Sequence, residues 1–166
     1  MRCLAEIMKI SVVTAVFNRQ ATIGDAIDSV RAQSWANVEH IIQDGGSSDG
    51  TLERIHGYSS PNMSIVSEPD TGIYDALNRG IKRATGDVIG LMHSDDLFAH
   101  NRVLEKVAAA LENTDVDGTY GDVEHIAKDD ASKVIRYWRS GEYHPRLSKR
   151  GWMPPHPTVY LRREVF

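Results

Sequence analysis

GDVIGLMHSDDLF, residues 86–98, decides how the rest of the chain is read. Val88, Ile89, Gly90, Leu91 and Met92 form an apolar run that stops abruptly at His93-Ser94-Asp95-Asp96. Four to eight apolar residues between turn formers predict a strand buried on both faces. Carboxylates at the carboxyl end of such a strand occupy the rim where open α/β sheets bind their ligands. Hard divalent cations take oxygen ligands, and Mg2+ is commonly held by one or two carboxylates together with substrate phosphates. Asp95 and Asp96 are therefore candidates for holding the ribose and the metal of a bound nucleotide. The competing reading is a helix start, with Ser94 or Asp96 as its N-cap.

Outward from this stretch the same pattern repeats. Residues 9–16 (KISVVTAV) are a β-branched run suited to a central parallel strand, broken by Phe17-Asn18-Arg19-Gln20. Ile23, Ala26, Ile27 and Val30 then recur at helical spacing, with Thr22 as the N-cap candidate. Residues 38–43 (VEHIIQ) read as a second strand ending on the glycine-rich turn DGGSSDG at 44–50, where Ser48 or Asp49 is placed to cap a short helix through Leu52 and Ile55. Residues 63–67 (MSIVS) are a third strand, closed by Glu68-Pro69-Asp70-Thr71-Gly72. Ile73, Ala76, Leu77, Gly80, Ile81 and Ala84 make one apolar helix face, and Gly86 stands as the helix stop. A further helix is expected over 101–111, with Val103, Leu104, Val107, Ala108 and Leu111 inward.

Strands and helices alternating at this spacing demand a mostly parallel sheet with right-handed crossovers and helices on both faces. The fold class is α/β. The last third departs from it: residues 118–123 (GTYGDV), 134–138 (VIRYW) and 158–161 (TVYL) read as short strands joined by polar, proline-containing links. Antiparallel additions at a sheet edge fit this better than another βαβ unit. Tyr137, Trp138, Tyr143 and Trp152 are read as core packing in preference to sugar stacking. No linker divides the chain, so residues 1–166 are expected to be one domain, with residues 1–8 as a tail.

Composition narrows the function. A chain of 166 residues, with 41% hydrophobic and 25% charged residues, is of one-domain size and ordinary globular make-up. Its net charge of −4 and pI near 5.9 argue against a nucleic-acid binder that works through a basic surface. The lone cysteine, Cys3, excludes an internal disulfide framework and makes the cytoplasm the expected compartment. No apolar run approaches the roughly 20 residues that span a bilayer.

Three polar clusters fall at the carboxyl ends of predicted parallel strands, and so on one rim: Asn18-Arg19, Asp44 with its glycine turn, and Asp95-Asp96. Gly45 and Gly46 would let a flat base or sugar approach the backbone closely. There is no G-x-G-x-x-G after the first strand and no G-x-x-x-x-G-K-[ST] anywhere. Phosphate charge must then be met by a cation, by Arg or Lys, or by backbone amides, and an acidic rim favours a cation.

Four blocks resemble the GT-A fold glycosyltransferases of family 2, in their bacterial surface-polysaccharide branch. They are ISVVTAVFNR (10–19), QDGGSSDGT (43–51), SEPDTGIYDALNRGI (67–81) and HSDD (93–96), with a weaker fifth, PHPTVYLRREVF (155–166). The resemblance implies a nucleotide-diphosphate sugar as donor, with uracil the favoured base, and a saccharide or lipid-linked acceptor. It implies transfer with inversion in cell-surface polysaccharide biosynthesis. Asp44 would accept from the base, Asp95 would touch the ribose, and Asp96 would ligate Mn2+ or Mg2+ bridging the diphosphate. Ala15 and Val16, with Asn18 and Arg19, would line the nucleotide pocket.

Asp70 lies in a turn that the resemblance puts beside the donor pocket, against a plain capping role on the third helix. His156, between prolines in a stiff segment, is a substrate candidate against an ordinary solvated histidine. Many relatives carry two acidic residues where this chain has Asp44-Gly45. The catalytic base of inverting members follows the stretch resembling 155–166, so it is expected downstream of Phe166. The rival readings are a nucleotide-sugar-binding domain that does not catalyse, and a sugar nucleotidyltransferase. Peripheral contact with the inner face of the plasma membrane, and an oligomer formed through Val159, Leu161, Val165 and Phe166, complete the expected partners.

Overall fold

The structure is a computed structural model that describes residues 7–128 and 130–166, so the first six residues of the expected tail lie outside it. β1 (Ile10–Val16), α1 (Ile23–Arg31), β2 (Val38–Asp44), α2 (Thr51–His56), β3 (Met63–Ser67), α3 (Ile73–Arg83), β4 (Val88–Leu91) and α4 (Val103–Ala110) alternate along the chain. β1 is buried at every position, as a strand covered on both faces must be. It pairs in parallel with β2 on one side and β4 on the other, and β2 pairs in parallel with β3. The strand order 3-2-1-4 therefore reverses beside β1, which makes the crevice at the carboxyl ends of β1 and β4 the topological switch point.

Alternation along β1 sorts the core into two layers. Ile10 and Val12 pack with Val30 of α1 and with Leu104, Val107 and Ala108 of α4. Val16 joins Ile23, Ile27, Ile42 and Ile55 under α1 and α2. Val13 and Ala15 point the other way, against Ala76 and Leu77 of α3. α3 docks closely because Gly80 has no side chain: a Cβ there would lie 2.4 Å from Val13 Cγ1.

The last third adds β5 (Gly118–Thr119), β6 (Val123–Ala127), β7 (Asp130–Trp138), a short helix α5 (Pro145–Ser148) and β8 (Tyr160–Arg162). β8 lies antiparallel on β4 and carries β5 on its outer side, the antiparallel edge that the change of pattern predicts. The Tyr160 ring fills the space above Gly90, where a Cβ would come within 2.0 Å of it.

Several local expectations differ. Residues 118–123 are not one strand: the chain breaks at Tyr120-Gly121-Asp122, and β6 pairs with β7 in a separate two-stranded sheet. Asp122 closes that hairpin, accepting from Ser140 N at 2.8 Å and Tyr137 OH at 3.0 Å, and these bonds hold its pKa below the usual carboxylate value. The aromatic residues are not core. Tyr137, Trp138 and Tyr143 are exposed, and Trp152 packs edge-on against Tyr120. Ile73, at the start of α3, faces solvent.

α3 ends at Arg83 because Ala84 turns extended, so Gly86 is not its stop. Gly86 is required elsewhere, since a Cβ would sit 2.5 Å from Ser11 Oγ and 2.8 Å from Lys9 O. Thr22 precedes α1 but makes no capping bond, and α2 is entered through Gly50 at φ 89°. Val165 and Phe166 are exposed, whereas Val159 and Leu161 are half-buried. No helix among the described residues is long and apolar enough to cross a membrane.

Candidate functional site

The rim is built from four βα junctions. Val16, Asp44 and Ser67 stand in register at the ends of β1, β2 and β3. β4 stops opposite Val13, so residues 92–96 run on beside the end of β1, starting with Met92 N donating to Val13 O at 3.0 Å. Ala15 and Val16 are buried strand residues that reach the rim through their backbone, and Val16 O accepts from Gly45 N at 2.9 Å.

Asn18 adopts the left-handed conformation (φ 51°), which Asn tolerates better than most residues. It ties the first junction to the second: its N–H donates to Ser47 Oγ at 2.8 Å, and its Oδ1 accepts from Ser48 N at 2.9 Å. Arg19 N donates to Thr51 Oγ1 at 2.8 Å, while the guanidinium reaches solvent with one bond to Asn18 O. Asp49 accepts from the Thr51 hydroxyl and from Thr51 N, and these bonds lower its pKa.

Asp44 is fully buried, and both its oxygens are engaged within the chain. Oδ2 accepts from Gly46 N (3.1 Å), Ser47 N (3.0 Å) and Ser67 Oγ (2.6 Å), and Oδ1 from Ser47 Oγ (2.5 Å). It therefore shapes the glycine turn and joins β2 to β3. A buried carboxylate without a cation is tolerable only when donors surround it in this way.

The third junction is organised by Arg79. Its guanidinium holds Pro69 O (3.0 Å), Glu68 (3.0 Å) and Asp75 (2.8 Å). Asp75 also accepts from Thr71 N, and that bond with the Arg79 bonds lowers its pKa. Asp70 Oδ1 accepts from Gly72 N at 2.8 Å, so it does serve the turn ahead of α3. Its other oxygen, Oδ2, accepts no hydrogen bond among the described residues and lies 2.5 Å from where a Gly45 Cβ would be.

The fourth junction carries the remaining pair. Ser94 and Asp95 form a turn in which Asp96 N donates to His93 O at 3.1 Å. The helix-start reading fails here, because α4 begins only at Val103. Asp95 is exposed. Asp96 Oδ2 is buried with no hydrogen-bond partner among the described residues. An ionised oxygen left in that condition is costly without a cation. The donor set is all oxygen, as Mn2+ and Mg2+ prefer, so these residues fit such an ion. His156, at the turn after the buried Pro155, brings its Nε2 to 2.7 Å from His93 Nε2, which docks the segment leading into β8 onto this junction.

Sequence reasoning did not single out Phe17, Ser47, Ser67 or Arg79 as parts of the rim. Only Arg79 had a readable signal, its i,i+4 spacing from Asp75. Two grooves, one bordered by Trp35 and His40 and the other by Lys9 and Pro61, sit at the amino ends of the strands, away from this rim.

The model of glycosyl transferase family 2 matches residues 11–164. A PGL/p-HBAD biosynthesis glycosyltransferase of Mycobacterium bovis is 35% identical over 161 residues, which cover 94% of this chain and 60% of that protein. Among solved structures, Staphylococcus aureus TarS 1-349 in complex with UDP-GlcNAc superimposes with a TM-score of 0.73 at 18% identity, covering 95% of this chain and 46% of that one. The mannosyltransferase PcManGT of Pyrobaculum calidifontis, in complex with GDP-Man and Mn2+, gives 0.72 at 17% identity, over 97% and 46%. The fold is the GT-A fold, and the chain belongs to glycosyl transferase family 2. It spans 39% to 60% of the length of curated relatives that it matches.

Proposed function

We propose that this chain forms the donor side of an inverting glycosyltransferase that takes its sugar from a nucleotide diphosphate, with UDP the favoured carrier. The acceptor is a saccharide or lipid-linked saccharide, and the product belongs to cell-surface polysaccharide. Support comes from what relatives are recorded with: TarS with UDP-GlcNAc, PcManGT with GDP-Man and Mn2+, and a mycobacterial relative named for PGL/p-HBAD biosynthesis.

The observation that carries the reading is the buried Oδ2 of Asp96 at the switch point, which has no hydrogen-bond partner among the described residues. Asp96, with Asp95 beside it, would hold Mn2+ or Mg2+, and Asp95 would touch the ribose. When bound, such a cation offsets the charge of the departing diphosphate. The chain's own contribution is binding and orientation. Asp44 shapes the glycine turn through the Gly46 and Ser47 amides, Asn18 ties that turn to the end of β1, and Arg19, bonded to Asn18 O and exposed to solvent, presents its guanidinium to the anionic donor. His156 and His93 border the metal side, where the acceptor would approach. Attack of an acceptor hydroxyl on the anomeric carbon forms the new glycosidic bond as the bond to diphosphate breaks, and one displacement inverts that centre. No described residue is assigned as the base that takes the hydroxyl proton.

Calorimetric titration with UDP, with and without Mn2+, tests this. Wild type is expected to bind at least about tenfold more tightly with the metal, and Asp96→Ala is expected to lose most of that gain. Equal affinity in all arms would contradict the reading.

A further inference from the structure

We propose that Asp70, standing over Gly45, is the carboxylate that reads the edge of the donor's base and makes the site selective for bases with a ring N–H. This rests on the donor-site reading above. The base needs an acceptor near β2 and β3, because Asp95 and Asp96 fix the diphosphate and ribose at β4, two strand spacings or about 10 Å from β2. Asp44 is the obvious residue by position, but it is fully buried and accepts from Gly46, Ser47 and Ser67.

The Gly45 backbone explains what takes its place. Gly45 is not among the glycines of positive φ, so its conformation admits any residue. What excludes a side chain is Asp70: a Cβ at position 45 would lie 2.5 Å from Asp70 Oδ2 and 3.4 Å from Phe17 Cδ2. The Asp70 carboxylate thus fills the space that an acidic side chain at position 45 would use, reaching it from the next junction. Arg79 holds this turn through Pro69 O, Glu68 and Asp75, and the Gly72 amide fixes Oδ1. Oδ2 is left without a hydrogen-bond partner among the described residues, beside the Phe17 ring, which is 57% exposed. An exposed ring for stacking and one free anionic acceptor at its edge suit a flat base that donates a single N–H. Uracil offers N3–H between two carbonyls. Cytosine and adenine turn a ring-nitrogen lone pair to the same edge, which a carboxylate disfavours.

The test is equilibrium binding of UDP, GDP, CDP and ADP with Mn2+ present. The variants are Asp70→Asn, whose remaining oxygen can keep the Gly72 bond, and the double variant Gly45→Asp with Asp70→Ala, which supplies a carboxylate to the same space from the other side. Wild type is expected to prefer UDP over CDP and ADP by about tenfold or more. Asp70→Asn is expected to weaken UDP about tenfold and bring CDP within about threefold of it. The double variant is expected to recover the UDP preference. Wild type that binds the four alike, or Asp70→Asn with the preference intact, overturns the assignment while leaving the donor site standing. Wild type that binds none of them overturns the donor-site reading and this assignment together.

Discussion

Asp44→Ala is expected to lower the unfolding free energy by at least about 3 kcal/mol, the largest single-residue effect on this fold's rim. Hydrogen bonds to a charged group contribute about 1.5–3 kcal/mol each, and a buried donor left without its acceptor costs about 1–3 kcal/mol. Asp44 serves four such donors, two backbone amides and the hydroxyls of Ser47 and Ser67. The loss stays below their sum, because the turn is close enough to solvent to rehydrate in part. Asn18 bonds to Ser47 and Ser48 of the same turn, so the damage should spread to the β1–α1 junction and weaken nucleotide binding as well. Asp44→Asn, which keeps one acceptor oxygen, should fall between wild type and alanine. Urea denaturation at pH 7 with an unchanged m-value measures this, and an alanine variant within about 1 kcal/mol of wild type would refute the role given to Asp44.

Acid should weaken the fold through a histidine buried in the sheet. His40 lies buried on β2, with Nε2 3.0 Å from Thr14 Oγ1 and no hydrogen bond to Nδ1 among the described residues. Burial pushes its pKa down from 6.5 to about 4. Between those values the unfolded chain holds a proton that the native chain refuses. Stability is therefore full above pH 6.5, falls as pH drops, and has lost this contribution below about pH 4. The shift corresponds to about 3 kcal/mol in all, of which about 2 kcal/mol is lost between pH 7 and pH 5.

Glu39 acts in a lower window. Burial opposes its charge, but bonds from Lys9, Ser11 and Thr85 outweigh that and hold its pKa at about 2, so its share is lost as pH falls from 4.5 to 2. His40→Gln, whose amide reaches about as far as Nε2, should flatten the pH 7 to 5 limb and leave the lower one unchanged. A variant with the wild-type slope over pH 7 to 5 would rule out His40 as the cause.

What the sequence disclosed and what it hid divide along local and non-local lines. β1, β2, β3 and β4 are written in short apolar runs closed by turn formers, and their parallel order follows from the helices between them. The rim clusters at Asn18-Arg19, Asp44 and Asp95-Asp96 are readable for the same reason, since each stands at or just past the end of a strand, whereas Asp70 comes only from the resemblance. Hidden were relations across junctions. That Ser67 would occupy an Asp44 oxygen, or that Asp70 would stand over Gly45, depends on register between β2 and β3 and on Arg79 bracing the turn. The aromatic residues misled because Tyr137 and Trp138 have the composition of a core strand, yet their hairpin lies outside the sheet and both its faces meet solvent. Ile73 fits the apolar stripe of α3 but is its first residue and faces solvent, and the buried part of the stripe starts a turn later at Ala76.

The central claim is that an ion held by Asp96 and a base set between the β2 and β3 turns share one nucleotide across the end of β1. A crystal structure of the chain with UDP and Mn2+ tests it most directly. The expected result is the cation in contact with Asp96 Oδ2 and the diphosphate, with the base over Gly45 beside Phe17. Nucleotide lodged in the grooves at the amino ends of the strands, or a cation away from Asp96, would contradict it.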